Sequence, residues 1–211
     1  MAGALLLALV LALPPARSAL GKGWSALREA VAVSRREGAR RERIASYAVR
    51  YGITPALAEE IYDAAEAERI DPDLGFRLVR VESEFREDAV SAVGALGLTQ
   101  VMPRTAEEMR PGITREQLLH RGTNLRLGFR YMRGLLRLYD GDVQEALHAY
   151  NRGMGTVARI RAGGGDPANG YAAKVLGRRG ASPVGGAPRP ADPGPSPPLH
   201  EMAPARLPAG F

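Results

Sequence analysis

The sequence predicts an all-α domain, and three observations carry that prediction. Apolar residues recur at three- and four-residue spacing from Ile53 to Leu176. Helix-start signals precede those runs: Thr54-Pro55, Asp71-Pro72 and Thr114-Arg115-Glu116-Gln117. No window alternates apolar and polar residues for long, so no strand is expected. A helical region of about 125 residues is long enough to bury one core.

The chain of 211 residues opens with an uncharged run, residues 1–13. As a helix rising about 1.5 Å per residue it would reach roughly 20 Å, short of the ~30 Å hydrocarbon core of a bilayer. Pro14-Pro15 and Ala16-Arg17-Ser18 follow, with small residues at the two positions that a signal peptidase reads. Residues 1–18 are therefore expected to be an export signal cleaved after Ser18; the alternatives are an uncleaved anchor and a buried or misread start. Either of the first two places the rest of the chain in the periplasm or cell envelope.

Residues 19–52 read as a basic helical linker segment, with Trp24, Leu27, Val31, Ile44, Tyr47 and Val49 as sparse apolar points. Residues 17–50 hold nine Lys or Arg and three Glu, while residues 51–211 hold twenty charges of each sign. The formal net charge of +6 is thus local to this segment. A nucleic-acid-binding domain carries its charge on a folded face, so no nucleic-acid partner is expected. One reading of the segment is a solvated linker helix. The other is a basic arm held against a membrane surface, an acidic wall polymer or secretion machinery.

The folded domain is expected over residues 53–180. Its first helix opens at Thr54-Pro55 and puts Leu57, Ile61, Ala64 and Ala65 on one face. Asp71-Pro72 opens the second, whose apolar stripe is Leu74, Leu78, Val81 and Phe85. A glycine-rich loop spans residues 90–98. Residues 103–109 read as a short helix, and Thr114 to Gln117 as a capping box. Leu125, Phe129, Met132, Leu135, Leu136 and Tyr139 form the stripe of a long helix. Helical pieces follow at residues 146–150, 157–160 and 171–176. Residues 181–211 are expected to be a disordered tail, because nine prolines and few aliphatic residues after position 182 cannot offset chain entropy by burial.

Composition removes whole classes of chemistry. The chain has no cysteine, so disulfides, thiolate metal sites and a thiol nucleophile are excluded. With His120, His148 and His200 as the only histidines, a multi-histidine site is not expected, and neither a metal nor a cofactor is assigned. There is no phosphate-cradling glycine motif, no Gly-x-Ser-x-Gly and no His-Glu-x-x-His.

Carboxylate chemistry remains. At about 100° per residue, Glu82 lies roughly 70° from the centre of the second helix's stripe. It sits on the shoulder of the buried face, near the helix end and beside the glycine-rich loop. Partial desolvation there disfavours the charged form and raises the pKa, as a general acid near neutral pH requires. Glu84 sits on the opposite shoulder at a similar angle, so periodicity does not choose between the two.

Three stretches narrow the reading. The first is Glu82-Ser83-x-Phe85 with Ala89-x-Ser91-x-x-Gly94-Ala95-x-Gly97-Leu98-x-Gln100-x-Met102-Pro103-x-Thr105-Ala106. The second is Asn124-x-x-Leu127-Gly128-x-x-Tyr131 with Leu135-Leu136. The third is Ala146-Leu147-x-Ala149-Tyr150-Asn151-x-Gly153, with Val157 behind it and Tyr171-x-x-Lys174-Val175 further on. Together they resemble the lysozyme-like catalytic domain of the bacterial lytic transglycosylases of the soluble Slt type, over about residues 66–178.

The resemblance implies a compact helical member of the α+β lysozyme-like superfamily, a monomer acting on peptidoglycan glycan strands. It implies that Glu82 is the single catalytic acid and base. Ser91, Gln100 and Met102 match positions lining the sugar cleft. Tyr150 and Asn151 match an aromatic–amide pair facing the glutamate, and Tyr171 a further cleft-side tyrosine. Gly94 and Gly97 suit a loop that turns tightly and lets a sugar ring approach backbone. Asn124 reads as a helix N-cap. Three positions depart from the family pattern: Thr99 stands where Met is usual, Arg152 where a small residue is usual, and His148, read as a flank residue, where a small apolar one is common. The implied reaction is cleavage of the β-1,4 bond between N-acetylmuramic acid and N-acetylglucosamine, leaving 1,6-anhydromuramic ends. A hydrolytic muramidase of the goose-lysozyme kind, or a catalytically silent glycan-binding scaffold of a secretion apparatus, are the competing readings.

Overall fold

The computed structural model describes residues 14–177, which form nine α-helices and no strand. The expected uncharged run 1–13 and the expected tail lie outside the described residues. The chain divides into two compact units, residues 1–55 and 56–211. Among the described residues of the first lies one helix, α1 (Pro14–Tyr51), of 38 residues. Near its end the Tyr47 and Tyr51 rings stack at 6.4 Å, and the Arg50 guanidinium lies 5.6 Å from the Tyr47 ring centre.

In the second unit, α2 (Pro55–Ala67) and α3 (Pro72–Ser83) both start at proline, whose fixed φ and missing N–H cost nothing in a first turn. The Asp71 carboxylate accepts the Leu74 N–H at 3.1 Å and caps α3. α2 buries Leu57, Ala58, Ile61, Tyr62, Ala64 and Ala65. The buried face of α3 differs from the expected stripe. It consists of Gly75, Phe76, Leu78, Val79 and Ser83, while Leu74 and Val81 are half-buried and Phe85 lies past the helix end. The cause is close approach. A Cβ on Gly75 would meet Phe129 Cζ at 3.1 Å and the Ala65 Cβ at 3.3 Å, so small residues hold the contact where large ones were expected.

The remaining helices are α4 (Pro103–Met109), α5 (Arg115–Leu119), α6 (Arg121–Leu138), α7 (Val143–Arg152), α8 (Met154–Ala162) and α9 (Tyr171–Leu176). The expected capping box at Thr114 and Gln117 is formed, and Asp142 caps α7 by accepting from Gln144 and Glu145 N–H at 2.9 and 3.1 Å. α6 packs on α7, and α9 packs on both α3 and α7. Phe76, Leu78, Phe129, Met132, Leu135 and Leu147 are fully buried. Cutting Phe129 to alanine is worth about 3–5 kcal/mol of stability. A smaller cluster, Leu96, Val101, Ala106, Leu118 and Leu127, fastens the loop after α3 to α4, α5 and α6. Isolated β-bridges Val90–Leu96 and Leu96–Val101 fold that loop on itself.

Candidate active site

The site is assembled where α3 ends. Glu84 and Phe85, at φ 52° and 62°, turn the chain out of the helix directly after Ser83. Left-handed backbone costs a non-glycine residue about 1 kcal/mol or more, so this stop stores strain beside the candidate acid. It also separates the two glutamates that periodicity could not tell apart. Glu84 is exposed at the cap, while Glu82 is half-buried on α3.

α9 brings the second group. Tyr171, buried at its first position, places its hydroxyl 2.5 Å from Glu82 Oε1. Phenol to carboxylate is a charge-assisted hydrogen bond, the strong kind in a half-dry setting. The third group comes from α7. The Tyr150 hydroxyl donates to the Thr99 carbonyl at 2.8 Å, and its ring meets Tyr131 at 5.4 Å. Burial pushes the Tyr150 phenol well above its ordinary range, and the charges of Glu82 and then Tyr131 push it further, against a smaller opposite effect of the Thr99 side chain. The phenol beside the acid therefore keeps its proton at any physiological pH.

Asn151, next on α7, accepts from Asn169 Nδ2 at 2.8 Å. Asn169 also accepts the Tyr171 N–H at 3.2 Å, and Arg152 Nη1 donates to the Pro167 carbonyl at 3.2 Å. The end of α7 thus grips the strap of residues 163–170 that delivers Tyr171 to Glu82. Arg152, a departure from the family pattern, serves this grip. Asn169 went unnoticed in the sequence. The Asn169-Gly170 pair before an apolar helix is a turn-and-start signal that could have found it.

The loop residues have other partners. Ser91 Oγ accepts the Ala95 N–H at 2.9 Å and closes a turn. The Gln100 side-chain amide donates to the carbonyls of Ala89 and Gly97, at 3.1 and 2.9 Å, from a residue at φ 48°. Met102 is the half-buried cap of α4. Tyr171 reaches Glu82 directly, and the Glu82 charge is felt at Tyr150; Ser91 and Gln100 hold the loop's shape.

Asn124 is not an N-cap: it lies fully buried inside α6 and clasps the loop. Its Nδ2 donates to the carbonyls of Leu96 and Leu118 at 2.8 and 3.0 Å, and its Oδ1 accepts from the Thr99 N–H and hydroxyl at 2.8 and 2.7 Å. Thr99 turns its side chain into that clasp and is fully buried. A Cβ on Gly128 would come within 2.2 Å of its hydroxyl, and one on Gly97 within 2.5 Å of Asn124 Nδ2. The missing side chain at Gly97 therefore leaves room for Asn124. His148, expected on the flank, is 2% exposed, with Nδ1 3.8 Å from Glu145 Oε1.

Fold and site together define a helical domain built around a half-buried carboxyl that a buried tyrosine hydroxyl reaches. The chain belongs to the transglycosylase SLT domain family, whose sequence model matches residues 59–169. Solved structures similar to it include an inactive mutant of the lytic transglycosylase Slt from Pseudomonas aeruginosa. That match is 33% identical and covers 48% of this chain and 17% of the other, at a TM-score of 0.45. The 70-kDa soluble lytic transglycosylase from Escherichia coli is 25% identical, with 56% and 22% covered and a TM-score of 0.49. A complex of the 70-kDa soluble lytic transglycosylase with bulgecin A is 26% identical, with 57% and 19% covered and a TM-score of 0.44. The chain spans about a fifth of the length of these proteins.

Proposed function

We propose that this protein is a peptidoglycan lytic transglycosylase that cleaves between N-acetylmuramic acid and N-acetylglucosamine, with Glu82 as its single acid and base. The observation that carries the reading is the half-buried Glu82 carboxyl joined to the Tyr171 hydroxyl, in a chain of the SLT domain family. Protonated Glu82 gives its proton to the bridging oxygen, and the bond from that oxygen to the muramic C1 breaks. Positive charge at C1 is met by the ring's own 2-acetamido oxygen. The Glu82 carboxylate then takes the proton of the C6 hydroxyl, whose oxygen closes on C1 to form the anhydro ring. The proton lost in the first step is recovered in the second, and no water is consumed.

The C6 hydroxyl is tethered to the reacting ring, so it arrives at high effective concentration and needs no second carboxylate to activate it. Tyr171 steadies the carboxylate between the two steps by donating to it. Tyr150, held by the Thr99 carbonyl, offers a neutral polar group beside the acid. The substrate lies outside the cytoplasm, in keeping with residues 1–18 as an export signal.

Mass analysis of the fragments released from purified sacculi tests this. Anhydro ends are the expected product; reducing ends, about 18 mass units heavier by one water, would make the protein a hydrolytic muramidase. Release of no fragments would leave a glycan-binding scaffold.

A further inference from the structure

We propose that α1 lies on an anionic lipid surface through the face made by Trp24, Leu27, Val31, Arg28 and Arg35. These residues, with Ala32, line one shallow groove along the helix. The apolar members are exposed, Trp24 by 60%, Leu27 by 54% and Val31 by 43%. At about 100° per residue, positions 24, 27 and 31 fall within roughly 60° of one another, and positions 28 and 35 border them on one side. A tryptophan and two aliphatic side chains edged by arginines is the composition of a helix that rests in a headgroup layer.

Charge complementarity selects the occupant. No acidic residue lines the groove, and the segment 17–50 holds the whole net charge of the chain, +6. A surface rich in anionic lipid attracts such a segment, while the apolar stripe gains from leaving water. An uncharged run, residues 1–13, directly precedes the helix in sequence. No helix among the described residues is long and apolar enough to cross a membrane, so this face rests on the surface rather than spanning it. The inference stands apart from the glycan reaction: Glu82 plays no part in it.

Trp24 is the only tryptophan in the chain, so its emission reports this face alone. The full chain is titrated with vesicles of phosphatidylglycerol and phosphatidylcholine, and separately with pure phosphatidylcholine. The expected result is a blue shift and protection from a soluble quencher on the anionic vesicles only, reversed by high salt. Arg28→Glu with Arg35→Glu, and separately Leu27→Glu, should weaken vesicle binding at least tenfold, with helicity by circular dichroism unchanged. Residues 1–13 are the same in every variant, so a loss belongs to this face. No shift on anionic vesicles overturns the proposal, as does an equal shift on the neutral ones. A shift that grows with protein concentration and needs no vesicle would assign the face to a second copy of the chain. An equal shift with a lipid-free acidic polysaccharide would assign it to a wall polymer. Either of those outcomes overturns it too.

Discussion

The Tyr171 hydroxyl reaches the Glu82 carboxyl from another helix and donates to it. A hydrogen bond to a charged group is worth about 1.5–3 kcal/mol, so Tyr171→Phe should lower turnover on sacculi by about tenfold to a hundredfold. Thermal unfolding of that variant should change little, because the ring stays buried. A variant that kept full turnover would remove Tyr171 from the mechanism. Asn124 makes the opposite kind of contribution. Its amide satisfies three backbone groups of buried loop and helix and one hydroxyl. Asn124→Ala removes those four bonds, although the Leu96 carbonyl keeps the Val101 N–H and the Thr99 hydroxyl keeps the backbone carbonyl of residue 124, and should cost about 2–4 kcal/mol, read by denaturant unfolding. Loss of activity there would follow unfolding and not chemistry.

At the scale of elements, the end of α3 and the strap before α9 position the site. Glu84 sits at φ 52° where helices usually place glycine. Glu84→Gly should therefore raise stability by about 0.5–1 kcal/mol, seen as a higher melting temperature, with turnover unchanged. A fall in stability would mean that the Glu84 side chain does something the backbone angle hides. Asn169→Ala frees both Asn151 and the first N–H of α9. We expect roughly a tenfold loss of turnover with only a small shift in melting temperature, since Asn169 itself is exposed.

Much of this was legible in the sequence, because caps and periods are local. Asp71-Pro72, the Thr114 box and the bounds of α9 were read directly from residue types. The buried face of α3 was not, since Gly75 and Ser83 carry no hydrophobic signal and are buried only because Phe129 and the loop come close. The Asn124 clasp was hidden for a similar reason. A buried asparagine and a capping asparagine look alike until the loop, 25 residues away in sequence at Thr99, is folded onto it. Glu82 was singled out from Glu84 only by the family resemblance; the left-handed turn at residues 84 and 85 gives the physical reason for the difference.

For the domain as a whole, the half-buried phenols of Tyr150 and Tyr131 tie stability to alkaline pH. Burial raises Tyr150 and Tyr131 above their ordinary range. Unfolded, a tyrosine ionises near about pH 10. Below that, both states hold the proton and stability is unaffected. Above it the unfolded chain releases protons that the folded one retains, so unfolding becomes easier as pH rises. The melting temperature should be flat from neutral pH to about pH 9 and fall beyond about pH 10, and Tyr131→Phe should soften that fall. Distributed ion pairs, Arg121 with Glu60 and Glu87, and Glu68 with Arg130 and Arg133, hold α6 to α2, to the residues just after α2 and to the loop after α3.

The central claim is that one carboxyl carries both proton transfers. Digestion of purified sacculi by the wild type and by Glu82→Gln, with glycan binding measured alongside, tests it most directly. The account predicts that the amide variant binds the glycan, keeps its melting temperature and releases no fragments. Fragment release near the wild-type rate would mean that another group moves the proton.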